Sequence, residues 1–538
     1  MQSDPKSSLR PGRRAVIAAA GTGLVATACS NGGGGKKGGS EGKGGGLFSS
    51  APEPTPAEEY ASFVDELASL NDKVPNLATG DLAKTPAKLA ISFPTLPAAY
   101  NFALAADIVV AKTLREHAYL SDAPELGMTG KVITVGKSLL GSVLVPTLGG
   151  KADGACVYYY DATRDRAYAS TALVTGDKWA DFTKAVTEAA ADVDGLDAEQ
   201  LKTLVQEQQR PYGNGPSLVV SADGTLTALF PAVKIGDETG PAKLTIEAAK
   251  AEPLLSELGK AVKATMGSPE TFAVETVERP GDGKSHNGDH VYKRTAKIHE
   301  GQKPREATGP GPVTQLAPLS GEGVRPSIVV GPDTTRLKAV SLSFDDGPEP
   351  HLNIKLVEML TKAKAACSFY NIGRNAKAYP ESTVRTVVAG QELGCHSWSH
   401  PQLTRTKNLH RELVETSELV ASLRGSWPLV MRPPYGARND RIDDEIRKLH
   451  QSIQLWDVDT EDWRYKSVPH NVDSVKSGSR RGSIILMHEI HAASVESVPQ
   501  ILEWFKQQGF TTVTNGEVGQ GQMYPGYYYT HGLDTNAS

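Results

Sequence analysis

Through the second half of the chain, short apolar runs alternate with helical patterns, and polar residues gather directly after each run. The runs are LKAVSLSF, AACSFYNIG, QELGC, PLVM, SIQLWDV and GSIILM. Strands of this kind separated by helical segments predict parallel βα units, arranged either as an open sheet or as a barrel. Both arrangements collect functional side chains at the C-terminal ends of the strands. Asp345-Asp346, HSWSH, RPPYG, DTEDW and His488 fall at those ends, so residues 325–519 are the segment in which chemistry is expected.

Residues 57–265 carry a different pattern. AAYNFALAADIVVAKTLREH spaces Leu104, Ile108 and Ala111 as one helical face, and SLVVSADGTLTALF reads as two strands around an Asp223-Gly224 turn. CVYYYDATRDRAYAS reads as a further strand and turn, with Tyr158, Tyr159 and Tyr160 alternating on a half-buried strand. This mixture predicts a small α+β domain without a catalytic constellation. A Pro/Gly/Lys-rich linker, 266–324, joins it to the second block, and 520–538 form a tail.

Length and composition narrow the picture. A chain of 538 residues is too long for one ordinary core, so two domains are expected. A net charge of −5 leaves no basic footprint, which argues against a nucleic-acid partner. Of the four cysteines, Cys29 ends a leader-like segment, and Cys156, Cys367 and Cys395 cannot form a complete disulfide framework. Arg10, Arg13 and Arg14 precede a short apolar stretch that ends on small residues and Cys29, the layout of an export signal over residues 1–29. The Gly-rich residues 30–56 then read as a flexible tether. ATAC resembles a bacterial lipobox and GRRAVI a twin-arginine signal, so the expected product is anchored by a lipidated Cys29 on the outer face of the cell membrane, or secreted.

The adjacent acids raise a question of their own, because neighbouring carboxylates repel unless a cation offsets them. His396 and His400 are four apart, a spacing that lets two imidazoles on one helical turn reach a single metal ion. With Asp346 they make two nitrogens and one oxygen and leave a position open for water, the layout of a catalytic zinc site. Asp345 is then free to act as a base.

These motifs resemble, in order, those of the polysaccharide deacetylase family, the NodB-homology or family four carbohydrate esterases: SFDDGP, HSWSH, RPPYG, DTEDW and LMH. Ser343 stands where the family commonly has Thr, and Cys395 where it often has Asn, a departure that opens perturbation of the metal or oxidation of the thiol as questions and leaves the ligand set as it is. The resemblance implies an α/β fold, a distorted (β/α) barrel with fewer strands than usual, preceded by the small α+β domain. It implies a divalent metal ion, Zn²⁺ first with Co²⁺ or Ni²⁺ as alternatives, held by Asp346, His396 and His400. Asp345 would be the base, paired with Arg432; His488, held by Asp462, would be the acid. The Tyr435 backbone N–H would steady the oxyanion, and Trp463 and Leu486 would wall an acetyl pocket. His351, His410, His450, His470 and His491 are read as non-ligands. The implied reaction removes N-acetyl groups from an acetylated polysaccharide, peptidoglycan first. Chitin-like oligomers and acetylxylan are the alternatives, and an inactive wall-binding or lysozyme-binding sensor is the rival of another class. The element order of the first block loosely resembles the extracellular domain of lysozyme-sensing anti-sigma factors, with no particular protein partner indicated.

Overall fold

The computed structural model describes residues 54–118, 124–273, 325–334, 336–519 and 523–532, all within one compact unit that begins at Pro54. The expected export signal with Cys29, the tether as far as residue 53, and the linker from 274 to 324 lie outside the described residues. Among the described residues no helix is long and apolar enough to cross a membrane.

The first block forms one sheet from β1 (Ala78–Asp81), β2 (Ala90–Thr95), β3 (Leu126–Gly136), β4 (Leu139–Leu148), β5 (Lys151–Ala152), β6 (Cys156–Asp161) and β7 (Arg166–Ala169). A second, antiparallel sheet holds β8 (Ser217–Val220), β9 (Leu226–Ile235) and β10 (Glu238–Ile246), with the Asp223-Gly224 turn between β8 and β9. The expected helix runs Tyr100–Ala118 and buries Leu104 and Ile108. The tyrosine strand differs from expectation. Tyr158, Tyr159 and Tyr160 are all 0% exposed, because Tyr158 and Tyr160 enter one core cluster and Tyr159 another. β6 is therefore covered on both faces and presents no tyrosine surface.

The second block supplies β11 (Lys338–Asp345), β12 (Cys367–Asn371), β13 (Glu392–Cys395), β14 (Val430–Met431), β15 (Ser452–Gln454), β16 (Val458–Asp459), β17 (Ile484–His488), β18 (Phe510–Thr512) and β19 (Tyr528–Tyr529). Their order is β16-β17-β11-β12-β13-β14-β15-β19, with β18 on β11, and every pairing is parallel. The sheet curls into a half-barrel whose edges β16 and β19 do not pair among the described residues, and its nine strands exceed the reduced set that the resemblance implied. SIQLWDV supplies two strands instead of one: β15 pairs with β14, and β16 with β17. Both faces of β11 are covered, so Ser341 and Ser343 are as buried as Leu342 and Phe344, as parallel sheets require. Each serine is satisfied, Ser341 Oγ donating to Asn515 Oδ1 at 2.6 Å and Ser343 Oγ to Ile485 O at 2.7 Å.

The two blocks share a core. Phe93, Phe102 and Val109 belong to the same contiguous cluster as Leu342, Phe344 and Phe369. Helix Tyr100–Ala118 lies across the ends at which the parallel strands begin. Tyr100 Oη donates to Leu429 O at 2.9 Å just ahead of β14, and Arg115 Nη1 to Gly390 O at 2.7 Å just ahead of β13. The opposite, C-terminal ends of the strands are left open for chemistry.

Candidate functional site

β11 ends at Asp345, and the chain turns at once, Asp346 having a φ of 70°. A left-handed conformation at a residue other than glycine costs of order 1–3 kcal/mol and persists only where the surroundings enforce it. Here Asn375 Nδ2 donates to Asp346 O at 2.8 Å, and Ile372 N–H to Gly347 O at 2.9 Å. A Cβ at Gly347 would stand 2.2 Å from Glu489 Oε2, so any side chain there would have to displace that buried carboxylate. The turn gives the neighbouring carboxylates different hydrogen-bonding roles, although His396 Nε2 lies near both, 3.6 Å from Asp345 Oδ2 and 3.5 Å from Asp346 Oδ1.

Asp345 Oδ1 accepts from Arg432 Nη1 at 2.7 Å. Arg432 is fully buried; its Nε and Nη2 donate to Gln454 O and Leu455 O at 3.0 and 3.1 Å, and its guanidinium stands 4.2 Å from the Tyr370 ring centroid. A planar cation fixed at so many points aims one N–H at Asp345 and cannot swing away.

His396 and His400 do not share a helical turn. They lie on a loop after β13 in which Ser397 and His400 have φ of 61° and 64°. The loop brings the two rings to a centroid separation of 4.9 Å. His396 Nδ1 donates to Arg432 O at 2.7 Å, and His400 Nδ1 pairs with the Tyr435 hydroxyl at 3.2 Å. Both Nε2 atoms therefore face Asp346 Oδ1, at 3.5 and 3.2 Å. The three ligand-type atoms lie within 4.8 Å of one another, and Asp346 Oδ1 is buried without a hydrogen-bond partner. Burial pushes the Asp346 carboxyl up, but His396, with His488 and His400, outweighs it and holds the pKa at about 2. An ionised, unpartnered oxygen facing two imidazoles whose other nitrogens are occupied fits a divalent cation of the zinc type.

On the other side, His488 ends β17, in register with Asp345. Its Nδ1 donates to Asp462 Oδ1 at 2.7 Å and its backbone N–H to Asp462 Oδ2 at 2.8 Å, while Ser494 Oγ also donates to Oδ2. Burial pushes His488 down, but the hydrogen bond and charge of Asp462, with Asp345 and Asp346, raise it to about 9. Leu486 is buried two residues earlier, whereas Trp463 is 53% exposed and Tyr435 68%. His491 stands outside the ligand group, its ring centroid 6.0 Å from that of His488.

Two features differ from expectation. Cys395 points away from the site, its Sγ 3.8 Å from both Ser417 Oγ and Gln451 Nε2, and burial lifts the thiol to about 11. A protonated, covered thiol is poorly reactive, which argues against oxidation at this position. Glu412, not singled out in the sequence, is the anchor of the histidine loop. Its Oε2 accepts from Trp398 N–H at 2.9 Å and Ser399 N–H at 2.8 Å, and its Oε1 from Ser399 Oγ at 2.7 Å. It sits in a π-helical turn, His410–Glu415, a conformation that nothing in local composition announces, so no sequence signal points to it.

Fold and site together define an α/β protein with a carboxylate–bis-imidazole centre at the open end of a curled parallel sheet. Residues 333–453 match the polysaccharide deacetylase family model. The chain is 35% identical over 179 residues, 33% of its length, to peptidoglycan-N-acetylmuramic acid deacetylase PdaC of Bacillus subtilis, and covers 38% of that protein. It is 30% identical to a Bacillus cereus peptidoglycan-N-acetylglucosamine deacetylase, of which it covers 67%. The solved structure of B. subtilis PdaC aligns at 33% identity and a TM-score of 0.34, over 36% of this chain and 94% of that one. The chain belongs to the polysaccharide deacetylase family through its second block. It spans less than half the length of the first of these relatives.

Proposed function

We propose that this protein is a metal-dependent hydrolase that removes N-acetyl groups from the amino sugars of peptidoglycan. The observation that carries the reading is the convergence, at one end of one sheet, of the Asp346, His396 and His400 ligand atoms with an arginine-held carboxylate on one side and a carboxylate-held imidazole on the other. A divalent cation bound by those three residues supplies Lewis acidity for the acetamide carbonyl and for water. Asp345, kept aimed by Arg432, takes the proton of the attacking water. The backbone N–H of Tyr435 faces the developing oxyanion. His488, charged and oriented by Asp462, delivers a proton to the departing amine, which is a poor leaving group without one. Leu486 and Trp463 enclose the acetyl methyl group. The exposed side chains of Tyr435, Trp463 and Tyr465 offer flat faces to neighbouring sugars.

The substrate is favoured by the names of the relatives and by the proposed placement of the enzyme, lipid-anchored through Cys29 on the outer face of the cell membrane. Acetate release from peptidoglycan, chitooligosaccharide and acetylxylan, before and after chelation and with Zn²⁺ restored, tests the reading. Activity on peptidoglycan that chelation abolishes and metal restores is expected; full activity in the metal-free protein overturns it. Replacing Cys29 by Ser should move the protein from the membrane fraction to the medium, with catalysis unchanged.

A further inference from the structure

Resting on the functional reading above, we infer that the rim beside the histidine loop recognises carboxylates, and so favours glycan strands bearing acidic peptide stems over neutral acetylated glycans. Trp398 lies midway between His396 and His400, and its indole packs on Gly373 so closely that a Cβ there would meet Cε3 at 2.7 Å. Two cations from separate elements approach this ring: Lys377 Nζ, from helix Gly373–Ala378, stands 5.8 Å from its centroid, and Arg411 Cζ stands 5.2 Å away. Both side chains are exposed, and among the described residues neither has an ion-pair partner.

Some surface cations are neutralised locally, as in Lys202–Glu199, Lys260–Glu257 and Lys448–Glu445, and others, such as Lys362, Lys407 and Lys506, have no ion pair among the described residues; what sets Lys377 and Arg411 apart is that they converge from separate elements on one ring of the histidine loop. The acid next to Arg411 is Glu412, and it is turned inward onto the backbone of the histidine loop. The nearby Glu415 faces His410 instead, at 3.8 Å. Across the centre Lys466 is also exposed and, among the described residues, without an ion pair, beside Tyr465.

The centre holds Asp345, Asp346, Asp459 and Asp462, but a bound dication, Arg432 and charged His488 offset them, so the loaded centre by itself offers an anionic strand little attraction. Cations at its rim without an ion pair among the described residues give a carboxylate on the strand a partner that the centre does not, which mainly affects encounter and register. A neutral oligomer gains nothing from them.

The test uses the full-length, metal-loaded protein and three substrates free of phosphate polymers: glycan strands with free stem carboxylates, the same strands with those carboxylates amidated, and chitooligosaccharide. The free-carboxylate strands should show the lowest KM, rising with ionic strength. The double variant K377Q/R411Q should raise KM about three- to tenfold on those strands alone, with kcat, metal content and the KM for chitooligosaccharide unchanged. Equal KM values for free and amidated strands, or equal losses on all three substrates, overturn the inference and leave the functional reading standing. Failure to release acetate from any substrate overturns the functional reading; co-sedimentation of the full chain with free and amidated strands then still decides whether the rim distinguishes them.

Discussion

At the scale of single residues, adjacency of the two acids is resolved by the left-handed turn at Asp346, which hydrogen-bonds one carboxylate to Arg432 and faces the other to both imidazoles, His396 Nε2 alone also approaching Asp345 Oδ2, at 3.6 Å. Removing the two negative charges therefore has separable consequences. Asp345→Asn should keep bound metal and lose nearly all activity, because an amide keeps the shape but accepts no proton. Asp346→Asn should lose metal as well, because the cation loses its anionic ligand. Metal content measured on both variants decides it, and the reverse pattern would exchange the two roles. His488 carries a pH prediction. It donates only while protonated, so activity falls as pH rises through its pKa, about 9 in the metal-free protein. A bound dication offsets Asp345 and Asp346, so in the loaded enzyme this basic limb lies below that value. Asp462 supplies the largest upward push, against burial that pulls the imidazole down. Asp462→Asn should therefore move the basic limb of the pH–rate profile to lower pH.

At the scale of elements, β11 to β17 were legible because each lies in a short apolar run, and the catalytic clusters because they follow those runs; β18 was not, and β19, in the stretch expected to be a tail, is a strand of the sheet paired with β15. What the pattern also concealed was conformation between strands. Four-residue spacing suits both a helical turn and a compact loop, and the loop forms because Ser397 and His400 take left-handed angles while Glu412, more than ten residues downstream, binds the intervening N–H groups. Periodicity carries no information about a contact of that kind. Glu412 is thus an outer support of two ligands. Its replacement by Ala should weaken divalent-metal affinity by about 10–100-fold, the usual cost of losing such a partner. Glu412→Gln keeps one acceptor oxygen and should recover part of the loss, read by metal titration of the purified protein.

At the scale of the whole molecule, the first block is joined to the catalytic sheet through buried polar contacts that the sequence could not show, because they link positions hundreds of residues apart. Arg115 on helix Tyr100–Ala118 forms an ion pair with Glu517 in which both side chains are nearly inaccessible, and Tyr212 Oη donates to the same carboxylate at 2.7 Å. Gly516 N–H, next to Glu517, donates to Glu392 Oε1 at 3.0 Å on β13, and Glu392 is already raised to about 7 by burial and by the charge of Glu517. Removing Arg115 leaves one buried carboxylate unpaired beside another. Arg115→Met should therefore cost about 3–5 kcal/mol, the range for breaking a buried pair by deleting one partner. The double variant Arg115→Met/Glu517→Gln should recover much of that loss, and urea unfolding of the four proteins in a double-mutant cycle measures the coupling. The same contacts bear on truncation. A chain cut to begin near Pro312 would expose the apolar faces that meet Phe93, Phe102 and Val109 and would strand Glu517, so it should unfold or aggregate, not merely bind polymer less well. A soluble, cooperatively folded fragment, together with an additive cycle at Arg115 and Glu517, would show that the catalytic sheet does not depend on the helix lying across its base.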